Sequence, residues 1–276
     1  LSLIDYILNV VGMLLWLNWR AAEAPVGAQA GTSIVRTLRP AGPPRPRYYY
    51  WGALPVLLVL RALFYWEAGP PIHWSPRLFL GPITLSFRVD LPGRMVLFSV
   101  LSFGVALGVF YLWLLLLSCL NAQVPNADPV QRLLRLWLGR LERLPAALKL
   151  LLPLAFTALA WCLLHPLLAR FDLVPGNAPG RLLAQGAVIG LAAYLTLKFL
   201  IVALLVLYLF NSYVYLGEFP LWNFVDATAR RILQPLQKVP LRVWKIDFAP
   251  VLSMVLVLLA AEYAQRGLAQ LYQRLQ

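Results

Sequence analysis

Three times along the chain, a long apolar stretch closes on an Asn, a basic amphipathic stretch follows, and a second apolar stretch opens with a Pro in its first turn. The Asn markers are Asn18, Asn121 and Asn211. The Pro markers Pro55, Pro153 and Pro250 recur after 98 and then 97 residues. A repeat of that period constrains the fold before any single motif does, because each unit must bury the same kind of surface in the same way. The pattern predicts a helical hairpin written three times.

The solvent for such units is lipid. With 61% hydrophobic residues, only 11 acidic residues in 276 and a mean hydropathy of +0.72, the chain lacks the charged surface of a water-soluble domain. A hydrocarbon layer of ~30 Å crossed at ~1.5 Å per residue takes ~20 mostly apolar residues. Six stretches qualify: Leu1 to Trp19, Tyr49 to Trp66, Arg94 to Leu120, Leu148 to Leu168, Ala187 to Asn211 and Phe248 to Ala264. They are continuously apolar, whereas the strands of a membrane barrel alternate. The first has no basic flank before it and no small-residue cleavage site after it, so a retained span is expected rather than a signal peptide. The expected fold is an all-α membrane protein of six transmembrane helices arranged as three hairpins, with amphipathic segments at the cytoplasmic interface. The units run over 1–66, 94–168 and 187–276, with outer-side loops at 67–93 and 169–186.

The net charge of +13 would suit nucleic acid, but its placement points to a membrane instead. The loop inside each hairpin carries five basic residues: Arg20, Arg36, Arg39, Arg45 and Arg47; Arg132, Arg135, Arg140, Arg143 and Lys149; Arg230, Arg231, Lys238, Arg242 and Lys245. These are 15 of the 24 Lys and Arg, against seven in the loops between hairpins and the tail. The positive-inside bias puts the three basic loops in the cytoplasm and both termini on the opposite side. The expected partners are the bilayer and its anionic phospholipids, at ~1 kcal/mol per basic residue near the surface, together with other integral membrane proteins. The same charges also serve to orient the chain during insertion. Arg exceeds Lys by 20 to 4, as in a GC-rich bacterial genome, and the expected location is a bacterial inner membrane. Aromatic residues gather at the span ends, as interface anchors do.

The second basic loop has the clearest pattern. Asp128 suits a helix cap and Pro129 a first helical position, after which Val130, Leu133, Leu134, Trp137, Leu138, Leu141 and Leu144 fall on one face. Arg132, Arg135, Arg140 and Arg143 occupy the rest, predicting a helix in the interface plane with leucines in the acyl boundary and arginines among headgroups. In the third loop Leu221, Val225, Ala229, Ile232 and Leu236 make the apolar face, Asp226, Arg230, Arg231 and Lys238 are polar, and Pro235 kinks or ends the helix. The first loop keeps a remnant at 33–39 before a Pro-rich arm over 40–46.

The third unit carries Phe219-Pro220-Leu221-Trp222-Asn223-Phe224-Val225, then Leu233-Gln234-Pro235-Leu236-Gln237-Lys238-Val239-Pro240, then Lys245-Ile246-Asp247-Phe248-Ala249-Pro250. Over Tyr208 to Leu259 it resembles the YggT/YlmG family of small membrane proteins, whose repeat opens its second helix on Asp-x-Ser/Ala-Pro. The second unit matches through Asn126-Ala127-Asp128-Pro129-Val130 and Leu144-Pro145, and the first keeps its helix ends. Gln234 stands where the family commonly has Arg, and no Gly follows Pro240 before the Asp. The resemblance implies an inner-membrane or thylakoid protein without known enzymatic activity, in a family associated with osmotic tolerance, with division and envelope organisation, and with haem attachment to cytochrome b. Apart from the resemblance, Asp247 suits the positive end of the last helix and Pro250 its first turn.

Residues able to carry chemistry are few. His73 and His165 have no spaced companions for a haem or metal, and His165-Pro166 suggests a helix kink or boundary. Cys119 and Cys162 lie near opposite sides of the bilayer. No zinc-protease, phosphate-loop, nucleophile-elbow or dinucleotide pattern occurs, so no enzyme and no cofactor is expected. Lys198 falls near the middle of its stretch, where a lone charge costs ~2.5 to 3.5 kcal/mol. It is the candidate intramembrane functional residue, with Glu262 in snorkelling reach. Arg61, nearer its outer end, is expected to snorkel. Asp5 and Asn9, one turn apart, mark a face turned to another helix. On the outer side Leu78 to Leu80 and Ile83 to Val89 suit a small β-hairpin that must pack on helix ends or a partner, since two strands alone are marginal in water. The function expected is a non-enzymatic scaffold or assembly subunit that docks membrane proteins and holds anionic lipid on its cytoplasmic face. A small-ion transporter or channel is the alternative, and a haem-attachment or cytochrome-assembly factor the third.

Overall fold

The computed structural model describes residues 2–22, 47–72, 74–122, 129–175, 179–214, 219–236, 242–243 and 246–275. Its helices are α1 (Ser2–Ala22), α2 (Arg47–Ala68), α3 (Pro92–Leu120), α4 (Pro129–Leu138), α5 (Ala146–Arg170), α6 (Pro179–Ala193), α7 (Leu197–Tyr213), α8 (Pro220–Leu233) and α9 (Ala249–Leu275). A 3₁₀ turn, Tyr194–Thr196, joins α6 to α7 into one 34-residue segment, Gly180–Tyr213. Six helical segments are long and apolar enough to cross a membrane: α1, α2, α3, α5, α6 with α7, and α9. The chain is a multi-pass membrane protein. Only 6% to 39% of each spanning window is buried within the chain, so most of the apolar surface needs lipid or another membrane protein around it.

Several helices outrun the apolar stretches. Because α2 and α5 start ahead of their apolar runs, Pro55 and Pro153 lie inside the helices rather than in a first turn, and Pro250 alone of the three sits at a start. Pro166 also lies within α5, which continues to Arg170, so His165-Pro166 is no boundary. Helix α9 runs eleven residues beyond Ala264 through Ala, Gln, Leu and Arg, good helix formers, and packs Leu268, Tyr272 and Leu275 on the core at that end.

Packing does not respect the sequence repeat. Helix α1 lies along α2 and α9 along α7, but α3 and α5 share a shorter contact than α2 with α3 or α5 with α6, both of which cross unit boundaries. The α5–α6 contact is close because a Cβ on Gly186 would stand 2.9 Å from Ala158 Cα and one on Gly190 2.9 Å from Leu154 Cδ1. Small residues four apart let two backbones approach where no water drives them together.

Between α2 and α3, strands β1 (Arg77–Phe79) and β2 (Thr84–Ser86) pair antiparallel, Leu78 opposite Leu85. Leu78, Leu85 and Phe87 turn inward onto Tyr65, Met95, Phe98, Trp161 and Tyr272, forming a core at the end of the bundle. At the turn, Gly81 has φ +79° and would place a Cβ 2.4 Å from Ala192 Cβ, so the position demands glycine twice over. The hairpin thus packs on helix ends, as the marginal stability of two strands requires. The same end holds the start of α1, through Asp5 and Tyr65, and the end of α9, whose Leu275 carbonyl accepts from Gln185 Nε2 at 3.0 Å.

Candidate functional site

Helix α3 contacts two polar clusters, one a third of the way along it at Ser102 and one in its last turn at Ser118. At the hairpin end Arg61 of α2, 2% exposed, donates from Nη1 to Asn9 Oδ1 (2.8 Å) and from Nη2 to Ser102 Oγ (2.8 Å) and Asp5 Oδ1. Tyr65 donates to Asp5 Oδ1 at 3.0 Å and Asn9 Nδ2 to Ser102 Oγ at 3.0 Å. The guanidinium lies 5.6 Å from the Tyr65 ring centre and 5.9 Å from that of Phe98. Arg61 therefore does not snorkel. A carboxylate one helix away, the Asn9 and Ser102 side chains and two aromatic faces take the place of its water. Asp5 and Asn9 do face another helix.

At the opposite end Ser118 donates to Glu142 Oε2 (2.6 Å), while Lys149 Nζ reaches Ser118 Oγ (2.8 Å) and Glu142 Oε2 (3.3 Å). Beside it the buried Asn121 donates from Nδ2 to Thr228 Oγ1 of α8 at 2.9 Å, and Gln131 of α4 donates to the Asn121 carbonyl at 3.3 Å. Arg231 donates to the Leu120 carbonyl and Arg20 of α1 to the Trp137 carbonyl (3.3 Å). These bonds satisfy carbonyls that helix C-termini leave without an internal partner. They also gather α4, α8 and the end of α1 at one end of the bundle. Ser102 and Ser118 are 16 residues apart, ~24 Å along a helix, so the two polar clusters are separated by most of the ~30 Å thickness of a hydrocarbon layer.

The amphipathic segments are accordingly docked on protein. Leu134 and Leu138 of α4 pack on Leu114, Leu115 and Phe224, with Val130, Trp137 and Leu141 against them, instead of all facing acyl chains. In α8 the buried face is Phe224, Val225, Thr228, Ala229 and Leu233, rotated from the expected one, and Leu221 is exposed. The rotation follows from the bond between Thr228 and Asn121 and from the seat of Phe224 on α3. Pro235 does follow the end of α8 at Leu233.

Of the expected cationic residues, Arg132, Arg140 and Arg143 are exposed and make no ion pair among the described residues. Arg135 Nε lies 3.7 Å from Glu142 Oε1 and Arg230 Nε 3.0 Å from Asp226 Oδ2, while Arg231 is spent on the α3 carbonyl. Lys238, His73, Asp128, the side chain of Asp247 and the first loop's remnant lie outside the described residues. Lys198 is partly exposed with Nζ 5.2 Å from the Phe199 ring centre, and Glu262, its expected partner, pairs with Arg266 at 3.1 Å, one turn along its own helix. His165 is buried edge-on to Trp161, 5.8 Å between ring centres, and its Nε2 has no hydrogen-bond partner among the described residues.

Sequence reasoning missed both charge pairs. Their signal is a lone Asp and a lone Arg on adjacent spans, and a single Glu seven residues before a Lys at a span start. Comparison with family models, with curated proteins and with solved structures finds no match.

Proposed function

We propose that this chain is a non-enzymatic membrane scaffold or assembly subunit. Its spans dock other integral membrane proteins laterally, and its cationic end holds anionic phospholipid on the cytoplasmic face of a bacterial inner membrane. The observation that carries this reading is the charge balance at that end. Glu142 is held by Lys149 and Asp226 by Arg230, so Arg132, Arg140 and Arg143 remain as exposed cations without an ion pair among the described residues, on a segment docked at the span ends. Such a surface attracts anionic headgroups. The lateral role is supported by ridges such as Phe156, Leu159 and Leu163 of α5, all exposed at helical spacing. The resemblance of the third unit to the YggT/YlmG family, which has no known enzymatic activity, agrees with it. The test is a photo-crosslinking amino acid at Leu159 in intact membranes. A discrete adduct with another integral membrane protein is expected, and adducts with lipid alone would overturn the docking role.

A further inference from the structure

The 3₁₀ turn that follows α4, Gly139–Arg143, brings together two of the exposed cations that make no ion pair among the described residues. Side chains three apart in a 3₁₀ helix eclipse one another, so Arg140 and Arg143 stand on one side of this turn. Leu141 meanwhile packs on the core and Glu142 is turned to Lys149. Both arginines are exposed. Gly139 sets the geometry: its φ is +57°, and a Cβ there would lie 2.7 Å from Arg20 Nη2, so the end of α1 brings a third guanidinium against the same turn. Eclipsed like charges repel, and an arrangement that holds them together is stabilised by an anion between them.

We infer that Arg140 and Arg143, with Arg20 alongside, form a clamp for the phosphate of an anionic phospholipid, a deepening that rests on the anionic-lipid reading above. Depth selects lipid as the source of the phosphate. The turn ends three residues before α5 begins at Ala146, and Trp16 and Trp19 of α1 lie tilted against each other, 4.8 Å between ring centres, within one turn of Arg20, an aromatic pair of the kind that marks the headgroup level. A guanidinium pair meets phosphate oxygens bidentately, which a scatter of mobile cations does not.

The full chain, purified in detergent, is titrated with phosphatidylglycerol and separately with phosphatidylcholine, and bound lipid is counted by native mass spectrometry. The wild type is expected to prefer phosphatidylglycerol. Arg140→Gln with Arg143→Gln should weaken that binding at least about 30-fold, from ~1 kcal/mol per basic residue at a lipid surface, and Arg132→Gln, outside the turn, by no more than the single-residue share of about fivefold. Both variants should keep the wild-type unfolding temperature without lipid, since Arg132, Arg140 and Arg143 make no ion pair among the described residues. Fifty-millimolar-scale inorganic phosphate should leave the lipid bound; its displacement would mean a site for soluble anions and would overturn the clamp. Unchanged binding by the double variant, with loss only when Arg132 and Arg230 are also neutralised, would overturn the clamp and leave the general cationic face standing. A wild type indifferent to the two lipids would overturn both.

Discussion

Replacing Arg61 by Leu is the perturbation whose consequence the structure fixes most closely. The substitution removes donors to Asn9, Ser102 and Asp5 and leaves the Asp5 carboxylate with Tyr65 and Ser102 as its hydrogen-bond donors. Breaking a buried pair by removing one partner costs ~3 to 5 kcal/mol, while replacing both by apolar groups is often neutral or stabilising. Asp5 keeps 22% of its side-chain exposure, so part of its charge is screened and the expected cost lies near the lower figure, about 3 kcal/mol. Asp5→Leu alone strands an almost fully buried guanidinium and should cost at least as much. The double variant should recover most of the loss, a coupling of about 2 kcal/mol or more. Reversible unfolding in mixed detergent micelles, run on all four proteins, measures the cycle. Additive single effects, or an Arg61→Leu cost below about 1 kcal/mol, would refute the claim that the pair ties α1 to α2 and α3.

Lys149→Met should destabilise by about 3 kcal/mol for the same reason, with Glu142→Gln restoring part of it in the same unfolding assay. Gly81→Val meets both a positive φ and the Ala192 methyl, and should lower thermal stability by at least about 2 kcal/mol, with Ala192→Gly relieving only the steric share. Lys198→Ala, which loses no ion pair among the described residues, should change stability by less than about 0.5 kcal/mol and leave ion flux in proteoliposomes unaltered; abolished flux would favour the transport reading. Single cysteines at Arg132 and Arg230 should react with a membrane-impermeant reagent from the cytoplasmic side only, and one at Phe79 from the opposite side only.

The six spans were legible because apolar length is a strong, local signal, and the β-hairpin because Leu85 and Phe87 alternate with polar neighbours. The position of the spans relative to one another was not legible. Gly186 and Gly190 draw α6 onto α5 across a unit boundary, an effect of backbone approach that apolar counting does not register. Arg61 was misplaced because a single stretch does not show that Asp5 waits on the next helix. A Lys198–Glu262 pair requires a particular register between two helices, whereas Arg266 is four residues from Glu262 on the same helix and requires none. The amphipathic segments were recognised by period, yet their apolar faces are taken by α3 and Phe224, which only tertiary contact decides.

The measurement that tests the scaffold reading most directly is gentle native extraction of the tagged chain, followed by mass spectrometry of the intact particle. The account predicts a stoichiometric complex with at least one other integral membrane protein and retained anionic phospholipid. A monodisperse monomer carrying neither would contradict it.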